Sequence, residues 1–501
     1  MSTSRTISRS SLFVFTVVLS GLLPVDQLRA HPAHAKPVDY PFVVGFERFY
    51  SSQDSDDYLA KGGMVLLNEL NCAACHSPPE AFKDRLIGSE ATRLRGVADR
   101  LDSVELELLI RNPRFLKRDT TMPSLFAGPD RDLDEVEALK HYLAQFNEPC
   151  RDYPEGNVEA GRALYHRIGC VACHAPEVGY RPEGVPQEVE IELTGLPSVP
   201  MNLADIYRLD SVTDLLLNPH HHRPSGRMPD FHLTEPEAAD LAAYLKAGQD
   251  LILPDALTET LEAEHNWEID PKLATLGRDL FTSKRCVACH LSPETDSPAL
   301  SPIPEQIDLP SLASLSGKTG GCLSKRPVSN GVPHFSLDVV QVRAIALAID
   351  QLAASTTPDL EAPVVEQLDW AMQTLNCYAC HERDGKGGPE YSREVYFGVT
   401  DPSARELGVA GHLPPPLTGV GARLSDQWLE ATIHGHWGPN PARPYQAGRM
   451  PIFRKDDVDQ FAGWFKTLDR VRLDSSAPAK SRPPHLLPVT APALSLESPS
   501  R

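Results

Sequence analysis

Four short cysteine–histidine motifs have a spacing that can bind a metal-containing cofactor covalently. In each motif two cysteines lie three positions apart, and a histidine follows the second cysteine directly. The motifs are Cys72-Ala-Ala-Cys75-His76, Cys170-Val-Ala-Cys173-His174, Cys286-Val-Ala-Cys289-His290 and Cys377-Tyr-Ala-Cys380-His381. Thiols one helical turn apart can form thioethers with the two vinyl groups of a haem, and the adjacent imidazole then binds the iron. The sequence therefore predicts four covalently attached haems c.

Other uses of paired cysteines fit this spacing poorly. Zinc ribbons bring two cysteine pairs within about 15–20 residues of each other, whereas these pairs begin at positions 72, 170, 286 and 377. Iron–sulfur clusters need closely grouped cysteines without a histidine after each pair. A thioredoxin-like site would need one pair within a β-α-β pattern, and no such pattern surrounds any motif.

The residues around the motifs repeat as well. Each motif follows an amphipathic helical stretch with two marked positions on one face, nine and five residues before the first cysteine. The first position holds Gly63, Gly161, Gly277 and Leu368, and the second holds Leu67, Tyr165, Phe281 and Met372. A later helical segment carries an aromatic residue in three copies, namely Tyr142, Tyr244 and Trp464. This pattern resembles the class I cytochrome c domain, in which the first and last helices cross at a glycine–aromatic contact.

The resemblance implies a distal iron ligand from a loop methionine. Met122, Met228 and Met450 each precede a proline and lie at the same offset in proline-bounded loops rather than on a helical stripe. A thioether sulfur opposite the histidine favours reduced iron and raises the redox potential. We therefore expect His76, His174, His290 and His381 as proximal ligands and these three methionines as distal ligands.

The third copy departs from this pattern. Val332-Pro333 stands at the methionine–proline position, and no methionine occurs between Met228 and Met372. Its distal ligand is predicted to be His334, which would give a bis-histidine site, or the position is vacant or water-bound. Cys322, a lysine or a ligand from a neighbouring domain are the remaining alternatives. Ala348 replaces the closing aromatic residue of this copy.

These features predict an all-α protein of four tandem small cytochrome c-like domains with long irregular loops. Its 46 prolines are roughly twice the usual share of about 5%, which favours short helices between such loops. The predicted segments are a signal peptide at 1–35, domains at 55–148, 155–250, 271–353 and 363–470, and a disordered tail at 473–501. The domain at 271–353 is the degenerate copy.

The amino terminus predicts export. Arg5 and Arg9 precede a short apolar run at 12–23, and small residues follow it. The run is shorter than the ~20 apolar residues of a membrane-spanning helix. We therefore expect a periplasmic or other extracytoplasmic protein that keeps no integral membrane segment after signal cleavage.

Charge limits the class of partner. The net charge of −20 argues against nucleic acid and anionic membranes as partners. Redox proteins with a basic docking surface fit better, so electron transfer between such proteins is the predicted function. The chain shows no additional catalytic domain, and we do not expect an enzyme. The alternative is a peroxidase-like haem enzyme with the third haem as an open site. Cys150 and Cys322 are left over, and the sequence does not decide whether they form a disulfide.

Overall fold

The computed structural model describes most of the chain between residues 38 and 474. The described ranges are 38–52, 55–126, 133–189, 191, 198–201, 206–247, 268–294, 309–328, 331–354, 363–435 and 443–474. The predicted signal peptide and the predicted tail beyond Asp474 lie outside them. Within these ranges, no helix combines the length and the apolar character needed to cross a bilayer.

The described part of the chain is mainly helical. The α-helices are Val44–Phe49, Asp56–Glu69, Val97–Arg100, Ser103–Arg111, Pro113–Leu116, Leu133–Ala144, Val158–Tyr165, Leu209–Leu217, Pro219–His222, Glu235–Lys246, Pro271–Ser283, Val339–Ala354, Val364–Thr374, Val409–His412, Val420–Arg423, Asp426–Ile433, Lys455–Val458 and Phe461–Asp474. The 3-10 turns are Cys72–Ala74, Glu80–Phe82, Cys170–Ala172, Cys286–Ala288, Leu312–Leu315, Gly321–Leu323, Cys377–Ala379, Tyr391–Tyr396 and Pro402–Leu407. Strands Glu382–Arg383 and Lys386–Gly387 form an antiparallel pair.

Units one to four below are the four predicted domains, in chain order. In each unit, the opening helix precedes the cysteine motif and the closing helix follows the distal-ligand loop. The opening helices are Asp56–Glu69, Val158–Tyr165, Pro271–Ser283 and Val364–Thr374, and the closing helices are Leu133–Ala144, Glu235–Lys246, Val339–Ala354 and Phe461–Asp474. Local sequence sets their ends. In unit three, for example, Asp270 accepts hydrogen bonds from the first-turn N–H groups of Lys272 and Leu273.

Unit two closes on its own helices, as the sequence predicts. Gly161 of the opening helix lies against the closing helix, and a Cβ added there would be 1.9 Å from the carbonyl oxygen of Asp240. Tyr165 and Tyr244 pack beside this crossing with their ring centroids 5.6 Å apart. The glycine allows the two backbones to approach more closely than any side chain would permit.

Unit four also packs its opening and closing helices together, but its close backbone contact has moved to another helix. Leu368 holds the position that glycine has in the other opening helices and is buried in the core of this unit. Gly421, in the short helix before Asp426–Ile433, now lies against the closing helix. A Cβ at Gly421 would be 2.2 Å from the carbonyl oxygen of Phe465.

Units one and three exchange their closing helices. The opening helix of unit one packs on the closing helix of unit three, where a Cβ at Gly63 would be 1.9 Å from the carbonyl oxygen of Ala344. The opening helix of unit three packs on the closing helix of unit one, where a Cβ at Gly277 would be 2.0 Å from the carbonyl oxygen of Ala138. The tandem prediction expects each unit to close on itself, and these two units differ from it.

The side chains fit closely at both exchanged helix crossings. Phe281 of the unit-three opening helix packs on Tyr142 of the unit-one closing helix, with ring centroids 5.5 Å apart. The unit-three closing helix has Ala348 where the others have an aromatic residue, and this small side chain lies against Gly63. A long connection between units two and three is compatible with packing of unit three on unit one, because the entropic cost of closing a loop rises only slowly with its length.

Candidate haem-binding sites

The four cysteine motifs share one local structure. In each motif the first cysteine begins a 3-10 turn, and the residue before it has a positive φ that ends the opening helix. These residues are Asn71 at 57°, Gly169 at 125°, Arg285 at 64° and Asn376 at 55°. The histidine N–H then donates to the carbonyl oxygen of the first cysteine at 2.9–3.0 Å in all four motifs. This tight turn places both thiols and the imidazole at the end of the opening helix.

Each motif histidine has its Nδ1 hydrogen-bonded to a backbone carbonyl oxygen. The distances are 2.7 Å from His76 to Pro310, 2.8 Å from His174 to Val199, 2.8 Å from His290 to Thr92 and 2.8 Å from His381 to Pro415. The bond fixes the ring orientation and the tautomer, so Nε2 remains as the nitrogen for a metal. Burial lowers the pKa of His174 to about 4, which keeps its imidazole neutral.

The motifs line one continuous and largely apolar cavity of about 1980 Å³. A typical small-molecule site measures about 300–1,000 Å³, so this space suits several large cofactors rather than one small ligand. Cys72, Cys170, Cys286 and Cys377 are in its wall, together with all four motif histidines. Paired thiols beside a histidine with a free Nε2 fit a covalently bound haem, and these residues would hold it.

Met122, Met228 and Met450 also line the cavity, each together with the proline that follows it. The structure thus brings all three predicted distal ligands to the same space as the motif histidines. Their identity as iron ligands remains a prediction that rests on this placement.

His334 lies differently from the methionines. Val332 and Pro333 are in the cavity wall, but His334 is not among the described residues that line it. Its backbone pairs with that of Ser124, at 2.9 and 3.0 Å, in an antiparallel bridge like the one between Asp230 and Ile452. This position gives no support to His334 as an iron ligand.

The motifs adjoin in pairs. The Asn376 side chain lies 3.2 Å from the Sγ of Cys173, which joins the motifs of units two and four. The Asn71 side chain of unit one likewise contacts Cys289 of unit three. Burial raises the pKa of the Cys289 thiol, and the hydrogen bond with Asn71 lowers it by a smaller amount. Ion pairs link the two pairs of units, with Arg227 at 2.6 Å from Glu69 and Arg454 at 3.0 Å from Glu90.

The two remaining cysteines are not bonded to each other. Cys150 lies 3.6 Å from the hydroxyl of Ser211. Cys322 lies near the first motif, where burial and the neighbouring Cys75 raise the pKa of its thiol.

Comparison with known proteins supports the interpretation of these sites as those of a cytochrome. Residues 158–249 and 371–469 match the family model described as Cytochrome c. No curated protein and no solved structure matches the chain. The matched ranges coincide with units two and four, which close on their own helices. Both segments are thus similar to haem-binding cytochrome c domains, and this similarity supports a c-type cytochrome with haem-based electron transfer.

Sequence reasoning missed a buried arginine that joins units two and four. Arg393 of unit four is fully buried and donates at 2.9 Å to the carbonyl oxygens of both Val171 and Ala172, inside the motif of unit two. It also donates at 2.6 Å to the hydroxyl of Ser198, and Glu390 lies 3.4 Å away. An arginine in a loop carries no sequence signal for such a role.

We expect Arg393→Met to destabilise the interface between units two and four and to lower one haem potential. Each motif carbonyl left buried without a donor costs about 1–3 kcal/mol. Loss of a positive charge near the unit-two haem favours the ferric state. Thermal unfolding and a potentiometric titration measure the two effects. Arg470→Met, at an exposed arginine of the same unit, is the control and should change neither quantity.

Proposed function

We propose that the protein is an exported tetrahaem c-type cytochrome that passes electrons between redox proteins outside the cytoplasm. The observation that carries this proposal is the repetition of one site. All four motifs have the same turn, the same bond from histidine Nδ1 to a carbonyl oxygen, and access to the same cavity. Similarity to cytochrome c domains at two of the four units supports the same chemistry.

The chain's own residues would tune and connect the sites. Bound haem supplies the ferric–ferrous couple. The histidine–carbonyl hydrogen bonds would orient the imidazoles that hold the iron, the loop methionines would supply sulfur ligands, and the apolar wall would keep water out of the sites. Because the motifs adjoin within each pair of units, an electron that enters one site has a near neighbour. The cytochrome c similarity favours this carrier role over the peroxidase-like alternative.

The proposed partners follow from charge. With a net charge of −20, the protein would dock best on redox proteins that present a basic surface, because opposite potentials speed encounter. The proposed compartment is the periplasm or another extracytoplasmic space, in keeping with the apolar segment at 12–23.

Haem content provides the direct test. We expect a pyridine haemochrome assay on protein made with a c-type maturation system to give four haems per chain, one for each motif. The double variant Cys377→Ala/Cys380→Ala should give three. Two or fewer haems in the fully matured parent protein would contradict the proposal.

A further inference from the structure

The exchange of helices between units one and three changes which histidine each distal loop faces. We infer that Met122 of unit one ligates the iron bound at His290 of unit three, and that the haem attached at Cys72 and Cys75 is the one without a methionine. This inference rests on the proposed function, because it requires a haem at each motif. It moves the exceptional site from the third motif to the first.

The proximal side of each site supports the exchange. His290 donates from Nδ1 to the carbonyl oxygen of Thr92, in unit one, and His76 donates to that of Pro310, in unit three. In units two and four the equivalent acceptors, Val199 and Pro415, belong to the same unit as the histidine.

Backbone hydrogen bonds beside the histidines cross in the same way. Ala91 N–H donates to the carbonyl oxygen of Cys289 at 3.0 Å, and Leu312 N–H donates to that of Ser77 at 3.0 Å. In unit two the matching bond runs within the unit, from Val199 N–H to Cys173 at 2.8 Å. Ala91 and Thr92, which lie in unit one before Met122, are therefore hydrogen-bonded to the third motif.

The Met122 loop packs on the third motif. Phe126, four residues after Met122, packs on the buried cluster that contains Phe281 of unit three, and Cys286 packs on the same cluster. The ammonium group of Lys284 lies 5.1 Å from the centre of the Phe126 ring. In unit two, Phe231 of the Met228 loop contacts the residue before the motif in the same manner, 3.1 Å from the Cβ position of Gly169.

The Val332 loop lies over the first motif. Phe335 and Leu323 pack on the buried cluster that contains Leu312, and Cys72 packs on the same cluster. Val332 and Pro333 are in the cavity wall at the position that Met122 and Pro123 hold in the partner loop. On this inference Val332 lies beside the haem of the first motif, and the sulfur of Met122 lies beside the haem of the third motif.

Two double variants, each without the cysteines of one motif, distinguish exchanged ligation from ligation within each unit. Each oxidised methionine-bound haem contributes to a weak far-red sulfur-to-iron band. If ligation is exchanged, Cys286→Ala/Cys289→Ala removes a methionine-bound haem and the band falls by about one third. Cys72→Ala/Cys75→Ala removes the exceptional haem and leaves the band at the parent intensity. The reverse pattern would overturn the inference.

Two controls keep the result interpretable. Met228→Ala should lower the band by about one third whichever ligation holds, which calibrates the measurement. Haem content of the parent protein is measured in parallel, and a value below four would count against the proposed function rather than against the exchange.

A cross-link in the parent protein tests the exchange without any substitution. The ammonium group of Lys284 in unit three lies 2.6 Å from a carboxylate oxygen of Glu135 in unit one. A carbodiimide should therefore join these two residues in the monomeric holoprotein, and peptide mass spectrometry should detect the product. Absence of this cross-link, while ion pairs such as Lys386–Asp369 are joined, would overturn the exchange even if a deletion variant failed to fold.

Discussion

Replacing Asp469 with alanine is expected to destabilise unit four by about 3–5 kcal/mol. Asp469 lies in the closing helix with its side chain fully buried, and it pairs with the buried guanidinium of Arg383 at 2.7 Å. It also accepts a hydrogen bond from the backbone N–H of Gly421 at 2.8 Å. Without the carboxylate, the buried guanidinium of Arg383 keeps only the longer ion pair with Asp384, at 3.6 Å, and the Gly421 N–H loses its acceptor. Breaking a buried pair by removing one partner costs far more than the pair contributes.

The effect should reach the haem site of this unit. Arg383 lies two residues after His381 and donates at 2.6 Å to the carbonyl oxygen of Leu417, close to the acceptor of the histidine bond at Pro415. Four of the five tryptophans lie within residues 363–470, so denaturation followed by tryptophan fluorescence reports mainly on unit four. The matched control is Asp426→Ala in the same unit. Its carboxylate is exposed beside Lys466, and the unfolding midpoint should hardly change.

Gly63→Val is expected to break the exchanged helix crossing and to cost about 3 kcal/mol or more. A Cβ at this position would be 1.9 Å from a backbone oxygen, that of Ala344, and 2.8 Å from the Cβ of Ala348. A flexible side chain could move aside, but a helix backbone can do so only if the two helices separate. The buried residues around them, including Leu66 and Ile345, would then lose contact.

Hydrogen exchange locates the damage and distinguishes the two possible pairings. In Gly63→Val we expect faster exchange in both Asp56–Glu69 and Val339–Ala354, with Leu133–Ala144 protected as in the parent. Loss of protection in Leu133–Ala144 with Val339–Ala354 unchanged would show that unit one closes on its own helix. Gly463→Ala is the matched control, because among the described residues no atom outside its own helix backbone lies within 4 Å of the Cβ position. That change should be neutral or stabilising by up to about 1 kcal/mol.

The exchange also bears on how the sites communicate. Each composite site of units one and three draws its histidine from one unit and its carbonyl acceptor from the other. Their loops are joined by the bridge between Ser124 and His334. A disturbance of either unit therefore acts on both sites. Units two and four are joined by a bridge of the same kind, between Asp230 and Ile452, and by Arg393, but each keeps its histidine and carbonyl acceptor within one unit.

The sequence by itself determined the features that depend on neighbouring residues. The cysteine spacing predicts the covalent chemistry, and the residues before each motif form an opening helix that ends at a positive-φ position such as Asn71 or Gly169. These features need only a few residues in a row, so they can be predicted from the order of residues. The structure places Met122, Met228 and Met450 in the wall of one cavity, and their role as iron ligands stays a prediction.

Only the tertiary structure decided which helices close on which and where the remaining site residues lie. The repeats carry similar packing faces, so the opening helix with Gly63 can be closed by more than one partner helix. Loop closure discriminates weakly between near and distant partners, because its cost grows only logarithmically with length. The choice then depends on side-chain fit, such as Ala348 against Gly63 and Tyr142 against Phe281. The burial of Arg393 against the second motif likewise arises only when two units dock.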